Sequence, residues 1–361
     1  MSDFDIAIVG AGIAGATLAA GIGDRARVLL LEAEDQPGYH ATGRSAAFWS
    51  ETYGGPAIQP LTTASGPALS AGGFLEPLGS LHIGGADDAA LAEAMLAEFE
   101  GTGVALAQVD PAEWIPGLRA GWTIGVHEPS CAYIDVGACH GDALARARRA
   151  GAVLRTRAAL RSAERGGAGW RLTTAAGVFS ADILVDAAGA WADPVAAMAG
   201  VTPLGIRAFR RTMVQLRTEP APPADLPHIA GLRGDFYFKP EAGGRLWLSP
   251  HDEIESEAID VAPEEMDVAV AIDRFEHVVD WRVAAVERRW AGLRSFAPDR
   301  LPVYGFDGAV PGFFWFAGQG GFGIQTAPAA ADLAARLILG DAPGAVDPAR
   351  YAPARFRANL C

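Results

Sequence analysis

Phe4-Asp-Ile-Ala-Ile-Val-Gly10-Ala-Gly12-Ile-Ala-Gly15 decides the fold: a short apolar run stops at a glycine turn, and an alanine-rich stretch follows to about Ile22. The run has the length of a buried strand, and the alanines beyond the turn favour helix. A second apolar run, 26–32, ends on the carboxylate of Glu32. Strand, glycine turn, helix and strand within about thirty residues make a βαβ unit of the nucleotide-binding kind. In Gly10-x-Gly12-x-x-Gly15 the first glycine permits the tight turn, the second lets backbone approach a pyrophosphate, and the third lets helix pack on strand. The helix N-terminus, with Ile13 and Ala14, then faces the phosphates. Glu32, followed by Ala33, stands where a carboxylate can accept bonds from both ribose hydroxyls, which disfavours a 2′-phosphate.

At 361 residues the chain exceeds the usual single domain, so a two-domain enzyme is expected. Half of it is hydrophobic and a fifth charged, with no low-complexity tract, which is the composition of a packed globular protein. The formal charge of −14 opposes nucleic acid and anionic lipid as partners. Cys131, Cys139 and Cys361 are an odd number without CxxC spacing, so neither a disulfide framework nor a metal site is expected, and a cytoplasmic location fits. The apolar stretch 6–22 follows an acidic start and is broken by glycines, which argues against an export signal or a membrane span. Lys239 is the only lysine among many arginines, so a single arginine is a weak clue by itself.

Further along, residues 36–55 are irregular and a helix is predicted over about 86–100. A helix at 137–150, a strand near Val153, a hairpin over 166–179 and a strand at 183–185 lead into Ala187-Ala-Gly189-Ala-Trp191. Between Arg207 and Arg294 an alternation of period two, as in Thr212-Met-Val-Gln-Leu-Arg and Phe236-Tyr-Phe-Lys, predicts a second sheet, interrupted by a helix near 266–279. A last strand, 312–317, runs into Gly318-Gln-Gly-Gly-Phe-Gly323, and this glycine loop is expected to open an alanine-rich helix to about Leu339. The fold class is therefore α/β, with a Rossmann-like nucleotide domain contributed by 1–50, 137–205 and 295–361. A mixed-sheet α+β substrate domain takes 51–136 and 206–294.

Three stretches carry a likeness: Gln36-Pro-Gly-Tyr-His-Ala-Thr-Gly-Arg-Ser-Ala-Ala47, Trp290-Ala-Gly-Leu-Arg-Ser-Phe296 and Gly318-Gln-Gly-Gly-Phe-Gly-Ile-Gln325. They resemble the D-amino-acid oxidase and glycine oxidase (DAO) family of FAD-dependent enzymes, and within it bacterial D-arginine dehydrogenase. The likeness runs nearly end to end, through Arg210-Arg-Thr212 and Phe236-Tyr-Phe-Lys-Pro240. It implies a glutathione-reductase-type FAD-binding domain. The glycine turn would hold pyrophosphate, and Ala41, Thr42, Gly43, Arg44, Ser45, Ala46 and Ala47 would wrap the flavin. Ala159 would touch the adenine end, with Ala188, Gly189 and Trp191 also in the cofactor site. Gly320, Gly321, Gly323, Ile324 and Gln325 would lie along the isoalloxazine, where a helix N-terminus stabilises developing negative charge. No cysteine matches the covalent flavin attachment of sarcosine oxidases, so FAD is expected to be non-covalent.

By the same resemblance Arg211 and Arg294 hold the substrate carboxylate, a task suited to the two-bond guanidinium fork. Tyr53 and Tyr237 match hydroxyl-bearing substrate contacts, although a tyrosine in an alternating strand can equally be a packed core residue. D-Arginine dehydrogenase has a histidine where this chain has Phe48, and a carboxylate where it has Ser80 or Leu81. Both departures remove polarity, and a cationic side chain would be buried unpaired. The expected pocket is therefore largely apolar or aromatic, built from Phe48, Ser50, Trp247, Phe322 and Gly321, with His228 either touching a polar substrate group or serving structure. Trp247 replaces the lysine that promotes oxygen reaction in sarcosine oxidases.

The expected activity is oxidation of a D-amino acid with a neutral or hydrophobic side chain to an imino acid, which hydrolyses to a 2-keto acid and ammonia. The alternatives are glycine, a secondary amine such as sarcosine or another N-alkyl amino acid, a 2-hydroxy acid, or a flavin-binding subunit of an electron-transfer complex without independent catalysis. The electron acceptor is left open among oxygen, quinone or another carrier. The oligomeric state is left open between monomer and homodimer, and peripheral membrane association is left open too.

Overall fold

A computed structural model describes residues 2–167 and 169–356. The strand Phe4–Val9 lies in an eight-stranded sheet, paired in parallel with Val28–Leu31 on one side and Gly177–Asp186 on the other. Val153–Arg155 and Phe313–Ala317 extend the parallel part outward. Leu160–Gly166 and Gly169–Thr174 form an antiparallel meander with Gly177–Asp186, and Val303–Phe306 pairs antiparallel with Phe313–Ala317.

Val28–Leu31 and Phe313–Ala317 are buried throughout, as strands covered on both faces must be. Alternation sorts their neighbours: Ile6 and Ile8 pack with Leu18, Ile22 and Leu333 of the helices Ile13–Ile22 and Ala327–Leu339. Ala7 and Val9 face the other way, towards Trp170, Leu172, Val195 and Trp315. Burying each large side chain contributes roughly 1.5–3 kcal/mol relative to exposure.

The second sheet has ten strands, with the order Gln319–Gly320, Arg282–Phe296, Arg207–Glu219, Arg245–Ser249, Tyr237–Glu241, His228–Gly231, Ser80–Gly84, Ile124–Glu128, Ala107–Val109, and Ile254–Ser256 added on Arg207–Glu219. The helix Glu265–Val278 covers one face, where Val214, Leu216, Phe238, Leu246 and Leu248 meet Val268, Phe275 and Val278. The opposite face carries Met213, Tyr237, Trp247 and Trp290. A small third sheet joins Phe48–Trp49, Ala132–Ile134 and Leu75–Pro77.

Four local expectations change. The helix Gln59–Ala71 was not foreseen, because Pro60 and Pro67 mask its pattern; Pro60 sits in its first turn, where the missing N–H costs nothing. The hairpin strand and the apolar strand expected as two pieces are one continuous strand, Gly177–Asp186. The helix expected over 86–100 begins with a 3-10 turn, so its α-helical part is Ala89–Glu98. The loop after Phe313–Ala317 does not open directly into helix, since a turn-rich segment runs to Thr326 before Ala327–Leu339 begins. No helix among the described residues is long and apolar enough to cross a membrane.

Candidate active site

The glycine turn at the end of Phe4–Val9 is built for close approach. Gly10 has φ +104°, and a Cβ there would run into the Ala187 carbonyl, while one on Gly15 would strike the Gly10 carbonyl. Gly15 therefore packs helix on strand rather than facing outward. The Ala11 N–H donates to Glu32 Oε2 at 3.0 Å and the Glu34 N–H to Oε1 at 3.0 Å, which fixes the carboxylate at the strand end. The Ile13 N–H donates to Thr42 Oγ1 at 3.0 Å, tying the 36–48 stretch to the helix start.

A cleft of about 440 Å³ opens from this turn. Gly10, Gly12, Ile13, Ala14, Glu32 and Ala33 line its nucleotide end, with Ala159 nearby. Ala41, Thr42, Arg44, Ser45 and Ala46 line one flank, and Ala188, Gly189 and Trp191 another. Gly320, Gly321, Gly323 and Ile324 border the far end together with Arg211, Tyr237 and Arg294. A collision-prone glycine turn, a helix start whose N-cap Gly12 offers no side chain, and a fixed carboxylate fit the diphosphate and ribose of a dinucleotide.

Some expected positions do other work. Gly43 donates its N–H to the Gly38 carbonyl at 2.8 Å, and Ala47 packs in the cluster of Ile13 and Leu69. The Arg44 guanidinium binds Asp260 Oδ1 at 2.5 Å and the carbonyls of Val261 and Ala291, so it ties two loops together while its stem faces the cleft. Gln325 is turned inward: its amide donates to the Tyr53 carbonyl at 3.1 Å and Thr62 Oγ1 at 2.9 Å.

At the far end, Arg211 and Arg294 lie on adjacent antiparallel strands in which Arg211 pairs with Gly292 and Phe209 with Arg294, so both project from the cleft face. Arg211 donates from Nε to the Asp252 carbonyl at 2.6 Å and from Nη2 to Glu253 Oε1 at 3.4 Å. Its buried Nη1 has no partner among the described residues. Arg294 Nη2 donates to the Tyr53 hydroxyl, and a Cβ on Gly321 would lie 2.8 Å from the Arg294 Cζ. Burial, helped by the charge of Arg294, pulls Arg211 below its ordinary value. For Arg294 burial acts the same way, but Tyr53, Tyr237 and Glu253 outweigh it and raise the guanidinium.

The Tyr237 hydroxyl reaches Met213 Sδ at 3.0 Å, and Phe48 packs against Tyr53, His228 and Tyr237 with ring centroids 5.5, 4.1 and 6.1 Å apart. His228 lies behind that ring, with Nδ1 3.1 Å from Ser80 Oγ and Nε2 without a partner among the described residues. Burial, with the nearby His82, Lys239 and His251, holds His228 well below its ordinary value, so the ring is neutral. Phe322 packs on Tyr53 at 5.1 Å. Trp247 donates its indole N–H to Gln215 Oε1 at 3.1 Å, and the Lys239 ammonium lies 4.5 Å above its ring. Of the expected pocket residues Gly321 lines the cleft, whereas Phe48, His228, Trp247 and Phe322 pack behind its lining and Ser50 is buried away from it, bonded to Glu128 Oε2 at 2.9 Å.

Sequence reasoning missed Glu253, Asp252 and Glu128. The first two sit in a polar loop that reads as solvated, and no local pattern announces that it folds back over Arg211. Glu128 is fully buried at a strand end and accepts from Ser50, Thr52 and the Glu51 N–H. Neither Cys131 nor Cys139 borders the cleft, and Cys361 lies outside the described residues.

A family model described as FAD dependent oxidoreductase (DAO) matches residues 5–337. Glycine oxidase from Geobacillus kaustophilus superposes with a TM-score of 0.85 over 98% of each chain at 23% identity. L-proline dehydrogenase from P. horikoshii does so with a TM-score of 0.87, again over 98% of each chain, at 21% identity. FAD-dependent oxidoreductase domain-containing protein 1 of Xenopus laevis is 26% identical over 173 residues, 44% of this chain and 34% of that protein. The match thus spans about a third of that curated relative's length.

Proposed function

The chain belongs to the FAD-dependent oxidoreductase (DAO) family, with FAD as its cofactor, and from this we propose that it oxidises the Cα–N bond of an amino acid. The observation that carries the proposal is the pair Arg211 and Arg294, on one sheet face at the end of the cleft beside Gly321. Two guanidiniums held by neighbouring strands suit a carboxylate, Tyr237 lines the same end, and the Tyr53 hydroxyl accepts from Arg294 there. Bound FAD supplies the hydride acceptor. The protein's part is to hold the carboxylate, orient Cα and exclude water, since no side-chain nucleophile is needed.

We propose a D-amino acid with a neutral or hydrophobic side chain as substrate, yielding an imino acid that water converts to a 2-keto acid and ammonia. The packing of the Phe48 ring on His228 and Tyr237 supports an apolar wall, and because Phe48 departs from the histidine of D-arginine dehydrogenase, that enzyme's cationic substrate is not proposed. A secondary amine stands equally well, because the same arginines would take its carboxylate. The fold likenesses to a glycine oxidase and an L-proline dehydrogenase are in keeping with it. We further propose non-covalent FAD, held by 1–50, 137–205 and 295–361, with substrate held mainly by 51–136 and 206–294, and a cytoplasmic location.

The test is anaerobic. The FAD-loaded protein is mixed with D- and L-isomers of neutral, aromatic, acidic and basic amino acids, and with N-methyl amino acids and 2-hydroxy acids, while flavin absorbance near 450 nm is followed. Bleaching by neutral or aromatic D-isomers supports the first reading, and bleaching confined to N-methyl compounds or proline supports the second. Absence of bleaching by any amino acid overturns both. Readmitting air separates oxygen from another acceptor.

A further inference from the structure

Glu253 stands in the loop between the strands Arg245–Ser249 and Ile254–Ser256. Its Oε1 is 3.4 Å from Arg211 Nη2 and 3.8 Å from Arg294 Nη1, so one carboxylate oxygen addresses both arginines of the cleft. Its other oxygen accepts from Arg300 Nη2 at 2.7 Å. The short contact is thus to an exposed rim arginine and the longer ones are to the two inner arginines. Arg211 has a second resident anion, Asp252, whose Oδ1 lies 3.8 Å from Nε and accepts the Thr212 N–H at 2.8 Å. Asp252 is anchored by that bond, whereas Glu253 is a third exposed and has Arg300 as an alternative home.

We propose that Glu253 is a specificity-determining residue. It is a resident carboxylate that shares Arg211 and Arg294 until a substrate carboxylate takes their N–H groups, and it then pairs with Arg300 alone. The proposal rests on the reading that these two arginines bind the substrate carboxylate. It follows from charge: two guanidiniums next to one fixed carboxylate leave room for one further negative charge. A monocarboxylate is accepted and a dicarboxylate is disfavoured. Because Glu253 and Arg300 are both partly solvated, moving the pair outward costs little, and the effect falls on affinity rather than on the chemical step.

The probe is propionate, titrated into the FAD-loaded protein and read from the perturbation of flavin absorbance, with malonate as the dicarboxylate. Glu253→Gln is expected to bind propionate about five-fold tighter and to gain malonate binding, with KM lowered and kcat changed less than about two-fold. Arg300→Ala, which takes away the alternative partner, is expected to weaken propionate binding in the parent. It should have no such effect when combined with Glu253→Gln. Unchanged or weaker propionate binding in Glu253→Gln overturns the proposal, as does an Arg300→Ala effect that persists in the double variant. The underlying reading is judged separately by Arg294→Ala: if that variant binds propionate as the parent does, the arginines are not the carboxylate site.

Discussion

Arg294 and Tyr53 meet because Gly321 has no side chain. A Cβ at that position would fall against the Tyr53 hydroxyl and 2.8 Å from the Arg294 Cζ, at a place where both groups are packed. Gly321→Ala is therefore expected to lower kcat/KM by about ten-fold or more by pushing guanidinium and phenol apart, with FAD content unchanged, as measured by steady-state kinetics on flavin-loaded protein. Arg294→Ala removes one arm of a buried charged pair and is expected to cost more, roughly 3–5 kcal/mol, or about two to four orders of magnitude in kcat/KM. A loss in Gly321→Ala larger than that in Arg294→Ala would mean that Gly321 acts on something besides Arg294. At this scale Arg211, Arg294, Tyr53 and Tyr237 were legible from the sequence only through motif resemblance, because an arginine-rich chain makes each arginine ordinary. Glu253 was not legible at all, since its partners lie on other strands.

Strand geometry assigns the neighbouring arginines of Arg207–Glu219 to opposite jobs. Arg211 and Met213 face the cleft, while Arg210 turns to the covering helix and pairs with Glu264 and with Asp267 at 2.8 Å. Arg210→Ala is expected to lower the melting temperature by several degrees and leave KM nearly unchanged, whereas Arg211→Ala should raise KM at least about ten-fold. Thermal unfolding and kinetics on the two variants check this, and a KM effect for Arg210→Ala equal to that for Arg211→Ala would refute it. Period-two alternation was visible before the structure, but by itself it does not give the phase, because an Arg-Arg pair has the same polarity on either face; only the motif resemblance singled out Arg211. Likewise the helix Gln59–Ala71 was hidden by its prolines. Ser50 was expected in the pocket and lies instead on buried Glu128, since a strand end offers a serine no local clue to which face is wet.

For the whole molecule, His82 is expected to contribute a pH-dependent part of the stability. Burial lowers His82 from its ordinary 6.5 to about 4. A lowered histidine contributes stability that is fully present above 6.5 and is lost as the pH falls towards 4, because the unfolded chain takes up the proton first. The advantage of the parent over His82→Gln in melting temperature is expected to shrink steadily across that window, measured by scanning calorimetry at several pH values. A constant difference would show that His82 is not held neutral by burial. Asp186, whose carboxyl burial raises well above its ordinary value, runs in the opposite sense, so the variant comparison is more telling than the parent's profile.

By itself the sequence determined the βαβ unit, the interleaved α/β plan, the glycine turn with its Glu32, and the family, because these depend on local patterns: runs of apolar residues, glycines where a Cβ cannot fit, and a carboxylate at a strand end. Tertiary structure alone decided that Arg210 pairs with Glu264 and Asp267 at the covering helix and that Ser50 is buried on Glu128. It alone brought Glu253 to the two cleft arginines from a loop about 40 residues away from either. Such contacts are made by strand register and by chain segments distant in sequence, and no window of neighbouring residues contains them.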